Sequence, residues 1–260
     1  MVEQGKPVAG SQSLERGLEI LELLDKSPTA MGVREMSRRL DLSAAITQRL
    51  INTLSHYNFV TQDPETRRYT IGYRAFGLGW SLTRKDRLIS VAKPELDMLA
   101  SRHLLNSYLG VMRGLRAIYI LSVQSDGPIA IRSAPGSLTY LHSTALGKAL
   151  LAGLPPEEAY RLLTAEPLAQ VTPHTITDPQ TLMRELEDIR QKGYATVKSE
   201  NIPGIISVGA PIRDTSGKVI AALSTAFAEW STPEFTIDAV ADLVTASAAR
   251  ISQSLGHQHS

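Results

Sequence analysis

The sequence predicts an α+β chain of two domains: a small helical domain with a hairpin at the N-terminal end, and a larger mixed domain behind it. Three observations carry this. Two short amphipathic helices flank the three-residue break Asp41-Leu42-Ser43, a helix-turn-helix pattern, and two β-prone runs follow at once around Asp63-Pro64-Glu65-Thr66-Arg67. A charged joint, Arg84-Lys85-Asp86-Arg87, interrupts the next helical stretch. Beyond it, over about 170 residues, helices group around strand-like runs that read as antiparallel.

Composition narrows the function classes. The 260 residues hold 27 Lys and Arg against 26 Asp and Glu, a formal charge of +1, so no global field points to nucleic acid or membrane. The absence of cysteine excludes a disulfide framework, an iron–sulfur cluster and a thiolate nucleophile. No apolar run approaches the ~20 residues of a membrane helix, and the polar start MVEQGKPVAGSQ has no signal-peptide core. A soluble cytoplasmic protein with no membrane partner is expected.

Residues 1–12 read as a disordered tail and 13–75 as the first domain. A helix starts at Ser13 as N-cap, with Leu14, Leu18, Leu21 and Leu24 as its stripe, and stops at Lys26-Ser27-Pro28. A second helix follows Gly32, with Val33, Met36 and Leu40 inward. A third opens on Ser43 and runs to Tyr57. At ~100° per residue, Ile46, Leu50, Thr53, Leu54 and Tyr57 share the inward arc. Ala44, Ala45, Gln48, Asn52 and Ser55 face the opposite way, with Thr47 and Arg49 flanking. Such a face suits a recognition helix: Gln and Asn pair with adenine, Arg with guanine, and small residues permit close approach to the groove.

The hairpin Phe59–Gln62 and Arg68–Ile71 carries Arg67, Arg68 and Tyr69 on its return leg, a wing able to lie along a phosphate backbone. Residues 27–75 hold seven basic and four acidic side chains, a modest local excess. A small helical domain with an ordinary solvated face would share the helix pattern. The ordered succession of helix, turn, helix and basic hairpin favours DNA.

Residues 76–87 read as a linker helix weakened by Gly77 and Gly79, and 88–260 as the second domain, opening on a helix with Leu88, Ala92, Leu96 and Leu99 as its stripe. Strands are expected at Tyr108–Met112, Ala117–Val123, Ile129–Arg132, Tyr194–Lys198, Ile206–Ile212 and Val219–Phe227. Helices are expected at Ser143–Ala152, Pro155–Leu163, Pro179–Lys192, ended by Gly193, and Pro233–Leu255.

Catalytic patterns are missing. There is no phosphate loop, no complete dinucleotide fingerprint and no Gly-x-Ser-x-Gly elbow. His56, His103, His142 and His174 stand alone, His257 and His259 sit in the tail, and Glu157-Glu158 suits a helix start. No metal, cofactor or enzymatic activity is expected. An enzyme or a metabolite-sensing interaction module built on the second domain is the alternative.

SLERGLEILELLDKS, the helix-turn-helix and HYNFVTQDPETRRYTIG in the first domain resemble those of IclR-type transcriptional regulators. So do GSLTYLHSTALGKALLAGLPPEE, VTPHTITDPQTLMRELEDIRQKGYATVKSENIPGI and VGAPIRDTSGKVIAALST in the second, and the resemblance covers almost the whole chain. It implies a winged helix-turn-helix, a linker helix and a GAF-like effector-binding domain. It also implies double-stranded operator DNA and a small metabolite as partners, with homodimers, often paired into tetramers, formed through the winged-helix and linker regions. The family often starts its recognition helix with Pro, a basic or polar residue and Ser, where this chain has Ser43, Ala44 and Ala45. The DNA-contacting set is therefore expected to be Ser43, Ala44, Thr47, Gln48, Arg49 and Asn52, with Arg67 and Arg68 on the wing. Carried over, the effector pocket falls on Ala145, Leu146, Val197, Ser207, Ser224 and Ala226. Regulators of small carboxylates tend to have an acidic residue near Val197, so a less polar pocket is expected, with hydroxyls from Ser207 and Ser224 alone. That pocket suits an aromatic or otherwise apolar monoacid, or a neutral relative, over glyoxylate-like acids.

Overall fold

The computed structural model describes residues 10–127, 131, 133–230 and 236–257. The chain divides between Lys85 and Asp86 into two compact units.

The first unit contains α1 (Gln12–Asp25), α2 (Val33–Arg39), α3 (Ala44–His56), the two-stranded antiparallel sheet of β1 (Val60–Gln62) and β2 (Tyr69–Ile71), and α4 (Tyr73–Lys85). Ser43 caps α3, its Oγ accepting the Ile46 N–H at 3.3 Å. Asp63 shapes the hairpin turn by accepting the Glu65 and Thr66 N–H groups. Met31 exchanges both backbone hydrogen bonds with Tyr69, an isolated antiparallel bridge that ties the segment before α2 to the hairpin. The core is Ile20, Leu24, Met31, Met36, Leu50, Ile51, Val60 and Tyr69.

Three expectations change here. The cap of α1 is Ser11, not Ser13. Leu14 and Leu18 are exposed, because the unit's small core reaches only the Gly17–Ile20–Leu24 side of the helix. In α3 the inward face is Thr47, Leu50 and Ile51, while Ile46, Thr53 and Tyr57 face outward. The arc expected from ~100° per residue is therefore rotated toward Thr47, whose hydroxyl is bonded within the unit. Helix α4 runs unbroken through Gly77 and Gly79, and none of its residues is buried. Phe76 and Trp80 stack on it at 6.2 Å between ring centroids.

The second unit opens with α5 (Arg87–His103), capped by Asp86, whose Oδ1 accepts the Leu88 and Ile89 N–H groups. Then come β3 (Asn106–Arg113), β4 (Arg116–Val123), β5 (Leu138–Tyr140), α6 (Ala145–Ala152), α7 (Pro156–Leu163), α8 (Pro179–Lys192), β6 (Ala195–Lys198), β7 (Ile205–Arg213), β8 (Val219–Ala228) and α9 (Ile237–Ser254). The six strands form one antiparallel sheet in the order β5-β4-β3-β8-β7-β6. Alternation along β8 assigns its faces: Ala221, Leu223 and Phe227 pack with α5 and α9, whereas Ala222, Ala226 and Ala228 pack with the α6–α8 layer.

Of the strand expected at Ile129–Arg132, Ile129, Ala130 and Arg132 lie outside the described residues, and Ile131 is buried outside any strand. The edge strand β5, only three residues long, is too short to show a periodicity. The tail through Ala9, the expected helix start at Pro233 and His259 also lie outside the described residues.

Candidate nucleic-acid interface and ligand pocket

Ser43, Ala44, Ala45, Ile46, Arg49 and Asn52 are exposed along α3. Gln48, half-buried, donates to Asn52 Oδ1 at 2.8 Å and lies 3.5 Å from the Tyr69 hydroxyl, so the hairpin and the helix hold the two amides side by side. Thr47, expected among the base readers, is fully buried. Its hydroxyl donates to Ser43 O at 3.0 Å and accepts from Ser37 Oγ at 3.0 Å. It therefore braces α3 against α2 and does not reach outward.

The wing arginines differ. Arg67 sits at the hairpin turn with φ 58° and is exposed. Arg68 is already engaged, donating to Ala30 O at 2.7 Å and to Glu35 Oε2 at 2.8 Å, while Glu35 also holds Arg39. Arg68 thus ties the hairpin to the start of α2, and the Ala30 carbonyl and Glu35 compete with any phosphate for its guanidinium.

In the second unit all six expected pocket residues, Ala145, Leu146, Val197, Ser207, Ser224 and Ala226, border one small cavity of about 40 Å³. Strand register builds it: Val197 stands opposite Ser207, and Ser207 opposite Ala226. Helix α6 comes close because β7 carries Gly209, where a Cβ would stand 2.6 Å from Ala145 O. Thr144 caps α6, its Oγ1 accepting the Gly147 N–H while its carbonyl accepts that of Lys148. The other first-turn amides belong to Ala145 and Leu146, at the cavity.

The cavity is more polar than the sequence implied. Tyr108, Tyr119, Ser133, Thr144 and Asn201 line it as well. Tyr108 stands opposite Ser224 across the β3–β8 ladder and donates to Ile131 O at 2.5 Å. The Tyr108 and Tyr119 rings lie 5.4 Å apart at 52°. Burial pushes both phenols above their ordinary range, so both remain neutral. Asn201 and Ile202 come from the segment joining β6 to β7, and Trp230 covers that segment at Gly204, where a Cβ would fall 2.6 Å from its ring. Among the described residues no group of three or more His, Asp or Glu side chains could hold a metal, and no helix is long and apolar enough to cross a membrane.

A helix-turn-helix with a hairpin wing on one unit and a cavity on the other define a DNA-binding regulator. Residues 13–64 match the IclR helix-turn-helix domain, and residues 81–253 match the family described as bacterial transcriptional regulator IclR C-terminal. The chain is 34% identical over 257 residues to the HTH-type transcriptional repressor AllR of Escherichia coli K12, covering 97% of this chain and 94% of that one. It is 30% identical to the HTH-type transcriptional regulator BhcR of Paracoccus denitrificans, over 94% of this chain and 87% of the other. The crystal structure of Thermotoga maritima IclR superposes with a TM-score of 0.81 at 31% identity, covering 94% of this chain and 99% of that one. An IclR homolog from Microbacterium hydrocarbonoxydans, crystallised with 4-hydroxybenzoate, shares the fold with a TM-score of 0.81 at 23% identity, over 94% and 98% of the two chains. The chain belongs to the IclR family of DNA-binding transcriptional regulators, and its relatives are regulators, not enzymes.

Proposed function

We propose that this chain is a cytoplasmic repressor that binds a two-fold operator as a homo-oligomer and changes its grip when a small, largely aromatic monoacid occupies the cavity. The winged-helix part would span 13–75, the linker 76–87 and the effector part 88–260. Ser43, Ala44, Gln48, Arg49 and Asn52 would meet the groove and Arg67 the backbone. Ile46, missed in the sequence because it reads as core, would offer an apolar contact for a thymine methyl. Dimerisation is supported by apolar side chains that this chain leaves in solvent: Leu14, Leu18, Phe76, Trp80 and Leu82. Paired recognition helices would then read half-sites about one helical turn apart.

The observation that carries the effector reading is the Tyr108–Tyr119 pair beside the Ala145 and Leu146 amides. Aromatic walls favour a ring, and first-turn amides favour a carboxylate. The 4-hydroxybenzoate complex of the Microbacterium homolog supports the same ligand class. The expected hydroxyls of Ser207 and Ser224 would serve with those of the tyrosines. Thermal-shift screening should show stabilisation by 4-hydroxybenzoate-like acids, weakened by Ser207→Ala and Ser224→Ala. Stabilisation by small diacids alone, unaffected by either substitution, would refute both the ligand class and the site.

A further inference from the structure

Lys148 is completely buried on α6, one turn past Ala145. An unpaired ammonium would not remain charged there. Its Nζ meets Glu185 of α8 at 2.9 and 2.8 Å and Glu200 at 2.8 and 3.0 Å. The two carboxylates differ in setting. Glu185 keeps 25% of its side chain in solvent and belongs to a regular helix, whereas Glu200 keeps 8% and belongs to the segment between β6 and β7. Glu200 is followed directly by Asn201 and Ile202, two walls of the cavity.

Strand-like backbone bonds hold that segment at its ends, where the Ser199 N–H donates to Ile205 O and Gly204 O accepts the Glu229 N–H, both at 2.8 Å. Ser199 takes φ 56°, and its Oγ accepts the Gly204 N–H at 2.9 Å. The Glu200 carbonyl accepts from the Thr172 and Thr175 hydroxyls. Ser143 reaches Asn201 Oδ1 at 3.4 Å, at the outer limit for a hydrogen bond. The Lys148–Glu200 ion pair is the charged link from this wall to the helix whose first turn borders the same cavity.

We infer that Lys148, acting through Glu200, is a positioning residue of the pocket: it fixes Asn201 and Ile202 in the wall, so ligand affinity depends on an ion pair that lines no part of the cavity. The inference deepens the effector reading above and rests on it for its ligand arm. Its other arm needs no ligand.

Removing the cation would strand two buried carboxylates and endanger folding. The test therefore neutralises one carboxylate at a time in the full-length protein, with Glu200→Gln and Glu185→Gln. Without ligand, amide hydrogen exchange across 201–206 should quicken about tenfold or more in Glu200→Gln. In Glu185→Gln it should stay within about twofold there and change in α8 instead. With 4-hydroxybenzoate in a calorimetric titration, Glu200→Gln should raise Kd about tenfold and Glu185→Gln less than about twofold, even where the two lose similar melting temperature. In an Asn201→Ala background the Glu200→Gln effect should shrink, because both changes act on one wall. If Glu200→Gln does not fold, Glu200→Asp should give the same pattern, weaker. Unchanged exchange across 201–206 overturns the inference whatever the ligand does. So does faster exchange with unchanged Kd. If 4-hydroxybenzoate does not bind even the wild type, its role as effector fails, and the exchange result alone decides the positioning role.

Discussion

Thr47→Val separates two roles for one residue of the recognition helix. By position along the helix Thr47 is a candidate base reader; by its contacts it is a brace. Its hydroxyl bonds to Ser43 O and Ser37 Oγ, both at 3.0 Å. Neither partner is orphaned by the substitution. Ser43 O still accepts the Thr47 N–H, and Ser37 Oγ still has Val33 O at 2.9 Å. The cost is thus the net value of one to two hydrogen bonds, about 1–2 kcal/mol, and not the larger penalty of a stranded polar group. For a unit of this size each kcal/mol moves the melting midpoint by about 4–8 °C, so a fall of roughly 5–15 °C is expected in the transition of the N-terminal unit. Scanning calorimetry of the full chain measures it. Selection of bound duplexes from a random library, run in parallel, should return the wild-type consensus at lower overall affinity. A consensus altered at one position, with no fall in melting temperature, would refute the brace and restore Thr47 as a reader.

The exposed α3 amides should behave in the opposite way: Gln48→Ala and Asn52→Ala should each lose about 1–3 kcal/mol of discrimination at one operator position, read by competition binding, with little change in melting. Arg67→Ala should weaken binding to all duplexes alike and flatten the salt slope by up to about one unit. Glu35→Gln, which releases Arg68 and Arg39, should strengthen binding to random duplex at low salt; unchanged affinity would show that neither arginine approaches phosphate. Gly209→Ala places a methyl against Ala145 O, and overpacking of this kind costs about 1–3 kcal/mol, so both the stability of the second unit and its ligand affinity should fall in calorimetry.

Some of this was legible in the chain. Helix α8 matches the expected Pro179–Lys192 because Pro179 opens it and Gly193 closes it, and the structure adds Asp178 as its N-cap. The six carried-over pocket positions converge on one cavity. Its polar character did not show, because Tyr108 and Tyr119 lie on strands far away in sequence and reach the cavity only through the β3–β8 and β3–β4 ladders. The phase of α3 was misread because a period says which residues share a face but not which face a satisfied hydroxyl can occupy. Nothing in the apolar string ALGKALLA marks Lys148 as buried and paired; its burial follows from Glu185 and Glu200, which only the tertiary fold delivers.

The sequence has two tryptophans, and the fold places one in each unit: Trp80 stacked on Phe76 in α4, and Trp230 laid over Gly204 beside the pocket wall. The emission of the native protein is therefore the sum of two separate optical reporters. Trp230→Phe leaves a probe of the helix that follows the wing, and Trp80→Phe leaves a probe of the segment holding Asn201 and Ile202. A ligand that reshapes only its own site dims or shifts the second signal alone; one that is felt at the DNA-binding end changes both, and the delay between the two signals times the passage of the message.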